Sequence, residues 1–328
     1  GQRLRKQVLR MPNVALRMIS IALMWTATGV AFAQAYPSKP VRIVTTVTGG
    51  SLDLTARFIA PRLSDALGQP VVVDNRGGVV SMELVAKAPA DGYTLLLASA
   101  SLWLSQFIRS NVLWDAVNDY APITMIATLP NIIAVHPSLP VKSVKALIAL
   151  AKARPGELNY ASGQTGSSSH LAGELFNAMA RVKLVRVAYK GAGPSMVALI
   201  TGETQVSFPN TAAAIPHLRG GKIRGLAVTT LKPSALVPGL PTAAASGLPG
   251  YESRAILGLF APAKTPQTII DRLNGEIVRI LESRDVKKRL FDSGAEAMPS
   301  TPAELAKAIK TDMDVNGRLI TDAGIRAQ

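Results

Sequence analysis

Two short stretches carry residue types whose spacing could do chemistry. Thr48-Gly49-Gly50-Ser51-Leu52-Asp53 joins an apolar run, Val41 to Val47, to a pattern with apolar positions at Ala56, Ile59, Leu63, Ala66 and Leu67. A strand ends there, two glycines turn the chain, and a helix begins. Gly49 and Gly50 let backbone N–H groups approach a ligand with no Cβ in the way. The helix start adds N–H donors that lack intrahelical partners and the positive end of a dipole. That combination suits a carboxylate or another small anion. An ordinary turn with Ser51 as N-cap and Asp53 in the first turn leaves the same letters. The second stretch, Ser162-Gly163-Gln164-Thr165-Gly166-Ser167-Ser168-Ser169-His170, follows the short strand Asn159-Tyr160-Ala161 and opens a helix through Leu171, Leu175 and Met179. Tyr189-Lys190-Gly191-Ala192-Gly193 after Val185 to Ala188 repeats the theme.

Other chemistries fit less well. The chain has no cysteine and only three histidines, His136, His170 and His217, so neither a thiolate nor a His-rich metal site is expected. No cofactor motif occurs: neither G-x-x-x-x-G-K-[ST] nor G-x-G-x-x-G in context. Ser167 or Ser168 beside His170 would permit a serine hydrolase, but no G-x-S-x-G elbow is present and no acid is placed to orient the base. No catalytic residue is assigned. The net charge is +15; subtracting Arg3, Arg5, Lys6, Arg10 and Arg17 in residues 1–35 leaves +10, scattered over many helices. Nucleic acid is not expected as a partner, because no recognition module accompanies that charge.

These loops need elements to hold them. The 328 residues suffice for two α/β domains, and a composition of 48% hydrophobic but only 5% aromatic residues implies an aliphatic core. Strands are expected at Val71 to Val73, Thr94 to Ala98, Ile123 to Ala127, Ile132 to Val135, Gln205 to Phe208, Arg224 to Val228 and Ile256 to Phe260. Helices are expected to about Leu67, with a kink or break at Pro61, and over Ser81 to Lys87, Ser143 to Arg154, Thr242 to Ser246, Pro266 to Ser283 and Pro302 to Ala323. The alternation predicts an α/β protein of two lobes, each a mainly parallel sheet flanked by helices, with ligand at the carboxyl ends of strands. The expected division is residues 36–135 plus 256–328 for one lobe and 136–255 for the other. Before them, basic residues, the apolar stretch Met18 to Ala33 and Ala31-Phe32-Ala33-Gln34-Ala35 read as a signal peptide, cut after Ala35 or else after Ala33. Export to the periplasm is the expectation.

From Tyr36 on, the chain resembles the Bug family of extracytoplasmic solute receptors, the binding components of tripartite tricarboxylate transporters. The resemblance rests on Tyr36-Pro37-Ser38-Lys39-Pro40, Gly49-Gly50-Ser51-Leu52-Asp53, Gly68-Gln69-Pro70-Val71-Val72-Val73-Asp74-Asn75-Arg76 and Asp91-Gly92-Tyr93-Thr94. It continues through Asn159-Tyr160-Ala161-Ser162, Gly166-Ser167-Ser168-Ser169-His170-Leu171, Tyr189-Lys190-Gly191 and Phe260-Ala261-Pro262. It implies a two-lobed, type II periplasmic-binding-protein fold closing on one small ligand, usually a carboxylate. It places Thr48, Gly49, Gly50, Ser51 and Asp53 on one side of the cleft. Ser162, Gly163, Thr165, Ser167, Ser168 and His170 stand on the other, and no fixed positive charge is expected. Asp53 is expected to order the loop or a water from the first turn of the helix rather than touch the ligand; His170 binds, or only caps and packs.

Where the family has prolines before the Gly-Gly pair, Thr46 and Thr48 could add hydroxyls. Where it often carries an Asp after the residue matching Phe208, Pro209 and Asn210 stand. The Ser101-Leu102-Trp103 region is apolar, and Ser101, Tyr189 and Asn210 complete the candidate ligand-binding set. The departures point to a ligand without an ammonium group and with an apolar body, an aromatic carboxylate or a medium dicarboxylate. The resemblance implies permease subunits of a tripartite transporter as partners, with a sensor kinase as the alternative. The receptor is expected to be a monomer.

Overall fold

The computed structural model describes residues 36–46, 48, 51–322 and 324–326. The expected signal peptide and the glycines Gly49 and Gly50 lie outside the described residues. From Lys39 onward the chain forms one unit.

The first half alternates strand and helix: β1 (Val41–Thr45), α1 (Ser51–Leu67), β2 (Val71–Asn75), α2 (Gly78–Ala86), β3 (Thr94–Ala98) and α3 (Ser101–Ile108), the last of them a helix that the sequence reading does not include. Two strands follow, β4 (Tyr120–Pro130) and β5 (Ile132–Val135), then α4 (Val144–Ala153). The pattern resumes with β6 (Asn159–Ser162), α5 (Ser168–Ala180), β7 (Val185–Ala188), α6 (Ala192–Thr201), β8 (Val206–Ser207), α7 (Thr211–Arg219) and β9 (Arg224–Val228). It closes with β10 (Arg254–Pro262), α8 (Gln267–Glu282), α9 (Arg284–Asp292), β11 (Glu296–Ala297) and α10 (Pro302–Asp322).

Two sheets result, ordered β11-β4-β10-β3-β1-β2 and β7-β6-β8-β5-β9. Each contains one parallel triplet, β1 with β2 and β3, and β6 with β7 and β8. The remaining pairings are antiparallel, because β10, β4 and β5 run against their neighbours. Periodicity reports that a strand is buried, not its direction; each sheet keeps a parallel part, as expected of mainly parallel sheets, and adds antiparallel neighbours to it. The strand Ile132–Val135, placed with the first lobe from its position in the chain, pairs instead with β8 and β9 in the second sheet.

The single residue Asn131 carries the chain from β4 to β5, and it is fully buried. Its carbonyl accepts from the Thr229 N–H and hydroxyl at 3.0 and 2.8 Å, on the return path towards β10. Its side-chain amide donates to the Phe208 carbonyl at 2.7 Å. One buried amide thus ties both crossings to the end of β8.

Other differences have local causes. α1 continues through Pro61. The proline removes one N–H, but the Arg62 guanidinium donates to the Phe58 carbonyl at 3.0 Å and Ser64 Oγ to the Ala60 carbonyl at 2.8 Å, which supports that turn. Thr242 to Ser246 is turn, with Thr242 bridging β9, rather than helix. The stretch expected as one helix from Pro266 to Ser283 is followed at once by a second, with Ser283 capping it through Val286 N–H. α7 was not anticipated; Pro216 in it reads as a breaker.

The core of the first sheet gathers Val44, Leu96, Trp103, Tyr120, Phe260 and Leu305. The second sheet is covered on both faces, by Tyr160, Phe176, Phe208 and Tyr251 on one side and by Met196, Leu199 and Ile215 on the other. Gly173 explains how closely α5 seats on β6: a Cβ there would run into the Tyr160 ring.

Candidate functional site

A cleft of about 540 Å³ opens at the carboxyl ends of the two parallel triplets. Six helices begin on it, each following a strand of a triplet. Ser51 of α1, Gly78 of α2 and Ser101 of α3 line it from the first sheet. Ser168 of α5, Ala192 of α6 and Asn210, the N-cap of α7, line it from the second. Each helix start favours a nearby anion by ~0.3–1 kcal/mol. Among the described lining residues there is no Asp or Glu, while Arg109 and Lys190 are present. Val79, Met82, Ile108, Met196 and Leu257 supply apolar surface.

Of the expected ligand residues, Thr46, Ser51, Ser101, Gly163, Thr165, Ser167, Ser168 and Asn210 line this cleft. Thr48 is exposed and not part of the lining. Gly49 and Gly50 lie outside the described residues. Asp53, Ser162, His170 and Tyr189 stand behind the cleft or beside it, and each has another task.

Asp53 is buried, and its Oδ1 accepts from Arg57 Nε at 2.9 Å and from Asn75 Nδ2 at 2.9 Å. The same Asn75 amide donates to the Thr46 carbonyl at 2.8 Å, so the carboxylate holds the end of β1 from beneath. Ser162 is fully buried; its Oγ accepts from Arg186 Nε at 2.8 Å and donates to the Gly163 carbonyl at 3.2 Å. Tyr189 extends the β6–β7 ladder through its N–H to the Ser162 carbonyl at 2.9 Å. Its hydroxyl donates to Glu203 at 2.8 Å, and partial burial, with Glu203 second, pushes its pKa up to about 12.

His170 is buried at the start of α5. Its Nδ1 accepts the Gly166 N–H at 3.1 Å, and its Nε2 stands 3.9 Å from Glu174 Oε1. Burial, with the Arg186 charge second, pushes the imidazole pKa down to about 3. The ring is therefore neutral at pH 7 and fastens the Gly166 turn. A neutral imidazole whose acceptor nitrogen serves a backbone amide does not have the geometry of a general base for Ser167 or Ser168.

The serine loop is fastened from several sides. The Gly163 N–H donates to Ser169 Oγ at 3.0 Å, and Ser167 Oγ caps α5 by accepting from His170 N–H. The amides of Gly163 and Gly166 thus stay within the protein. The first-turn N–H groups of Ser168 and Ser169 have no carbonyl four residues back within the helix. Gly166 takes φ +83°, and a Cβ there would lie 2.8 Å from Ile108 Cδ1, so α3 of the first sheet reaches this loop.

Several cleft residues escaped sequence reasoning. Gly77, Gly78 and Val79 follow β2 by the same strand–loop–helix rule that marked the other loops. Lys190 and Gly191 adjoin Tyr189, the one residue of the stretch after β7 expected at the site. Arg109, at the end of α3, leaves no signal in the sequence; it and Lys190, both exposed, add positive charge to a lining whose helix starts and hydroxyls were expected to suffice. Trp103 is core: it is 1% exposed, and its Nε1 donates to Asp312 at 2.6 Å.

Residues 55–325 match the family described as "Tripartite tricarboxylate transporter family receptor". The chain belongs to that receptor family. Among relatives of this receptor, protein BugT of Bordetella pertussis is 35% identical over 300 residues, spanning 90% of this chain and 92% of its own. The solved structure of R. palustris Rpa4515 with adipate is 36% identical, with a TM-score of 0.81, covering 89% of this chain and all of that one. MatC from Rhodopseudomonas palustris with bound malate is 27% identical, with a TM-score of 0.76, covering 87% and 100%. The family is one of solute-binding receptors, as the motifs implied.

Proposed function

We propose that this receptor works in the periplasm, captures a small organic acid in the cleft between the two sheets, and delivers it to the permease of a tripartite transporter. The convergence of six helix N-termini on a cleft whose described lining lacks carboxylates carries the reading. The hydroxyls of Thr46, Ser51, Ser101, Thr165, Ser167 and Ser168 and the Asn210 amide add polar partners. Gly49 and Gly50 keep the role their position after β1 suggests. The apolar lining from Val79, Met82, Ile108, Met196 and Leu257 suits a carbon chain between acid groups, and the absence of an acid after Phe208 disfavours an ammonium group. A medium dicarboxylate therefore fits better than an amino acid. The relatives crystallised with adipate and malate support the same class. The two sheets act as lobes that close on the ligand. They pivot at Asn131, four residues before the boundary expected at Val135, because β5 belongs to the second sheet.

The test is a thermal-shift series on the purified protein with adipate, malate, benzoate and aspartate. A ligand at about 100 times its Kd stabilises the native state by about 2.7 kcal/mol. Acids without an ammonium group should raise the melting temperature, and Ser168→Ala should abolish the shift while leaving the ligand-free melting point in place. A response confined to aspartate, or one untouched by Ser168→Ala, sinks the proposal.

A further inference from the structure

Arg186 on β7 lies directly behind the serine loop, and its guanidinium is half-buried. It makes three hydrogen bonds to one four-residue segment: Nε to Ser162 Oγ at 2.8 Å, Nη2 to the Gly163 carbonyl at 3.0 Å and Nη1 to Thr165 Oγ1 at 3.2 Å. All three partners are neutral oxygens. Glu174, the acid that acts on it electrostatically, accepts the Tyr160 hydroxyl. Burial lowers the guanidinium pKa from its ordinary value, yet an arginine stays charged at neutral pH.

The chemistry of the donor decides the rest. A guanidinium only donates, so every oxygen it holds must accept. The Ser162 proton then goes to the Gly163 carbonyl, within the loop. Thr165 differs, because it lines the cleft. With a lone pair turned back to Arg186, its proton is left free to turn to the cleft. A carboxylate ligand only accepts and needs a donor at that point. The planar fork also sets the spacing from Ser162 to Thr165, which a single ammonium cannot do.

We propose that Arg186 is a positioning residue for ligand capture: it holds the loop in register and orients the Thr165 hydroxyl to donate to the bound acid. This rests on the acid-binding reading of the cleft. Arg186 does not touch the ligand; it acts through Thr165.

Calorimetric titration of the purified protein with adipate tests the assignment on four forms: the unaltered chain, Arg186→Lys, Thr165→Val and the double variant. Arg186→Lys keeps the charge and removes the fork. It should weaken adipate binding by roughly tenfold or more, the value of a charge-assisted contact. The ligand-free melting temperature should change by no more than about 4 °C. Thr165→Val should cost a similar factor. The double variant should bind no more weakly than the worse single one, because both changes remove the same contact. Unchanged affinity in either single variant overturns the assignment, as do losses that multiply in the double variant. If Arg186→Lys melts far lower, the residue is structural and the assignment fails. An unaltered chain that binds neither adipate, malate nor benzoate defeats the acid-binding reading itself, a result visible before any substitution is made.

Discussion

Beneath the end of β1 stands a carboxylate; beneath the loop that leaves β6 stands a guanidinium. Asp53 is buried and holds Asn75 and Arg57, and Asn75 holds the Thr46 carbonyl. Arg186 holds Ser162, Gly163 and Thr165 without an intermediary. The two strand–loop–helix units have the same topology and are braced by groups of opposite sign. A buried carboxylate needs compensation, and Arg57 at 2.9 Å provides it, so the first brace is locally neutral. Arg186 is given neutral oxygens, so the second half of the cleft offers the stronger field to an anion. The difference shows how a charge that would repel the ligand is tolerated near the site: it is paired below the loop, out of the lining.

Removing each brace tests the contrast. Asp53→Ala should have the largest effect, about 3 kcal/mol of stability, since it removes the buried charge that accepts from Arg57 and Asn75 and leaves the Asn75 amide with only the Thr46 carbonyl. A urea titration reads this; a loss below about 1 kcal/mol would mean that the first loop is held by something else.

Acid should act on the second half next. His170 has its folded pKa depressed to about 3 from 6.5, so between those values the unfolded chain binds a proton that the folded one does not. Its contribution is complete above pH 6.5 and is lost as pH falls towards 3. From pH 7 to pH 5 the loss should be about 2 kcal/mol, and His170→Asn should flatten that slope. Denaturation midpoints at the two pH values decide it; an equal slope in both forms removes His170 from the account.

Gly166→Ala comes third. Its φ of +83° and the 2.8 Å approach to Ile108 Cδ1 should together cost about 1–2 kcal/mol, visible in the melting temperature. A neutral outcome would show that the two halves of the cleft are not in contact at that point. The smallest effects belong to the exposed cations of the lining, Arg109 from the first side and Lys190 from the second. Replacing either with Ala should weaken adipate binding by about threefold in dilute buffer and by much less near 1 M salt, where screening is complete within ~3 Å. Salt-independent losses would mark them as direct ligand contacts.

Much of the site was legible because strand–glycine–helix turns are local. Ser51, Gly163, Thr165, Ser167 and Ser168 were reached from neighbours a few residues away, and all of them line the cleft. Ser162 and His170 belonged to the same loop but face inward, since adjacent residues in a turn diverge and only packing says which one meets solvent. Arg109 carries no local mark at all; it reaches the cleft because α3 ends there. Arg186 is an unremarkable basic residue on a short strand until parallel pairing with β6 sets Arg186 beside Tyr160.

The sequence by itself determined the α/β class, the positions of most strands and the places where some of the helices begin, because these follow from periodicity and from glycine, serine and proline within a few residues. It also carried the family, through motifs in a set order. Only the tertiary structure decided strand direction, the sheet to which Ile132–Val135 belongs, and which charges stand behind the loops. Those depend on pairings between residues far apart in the chain, and no local pattern encodes a hydrogen bond whose partner is chosen by packing.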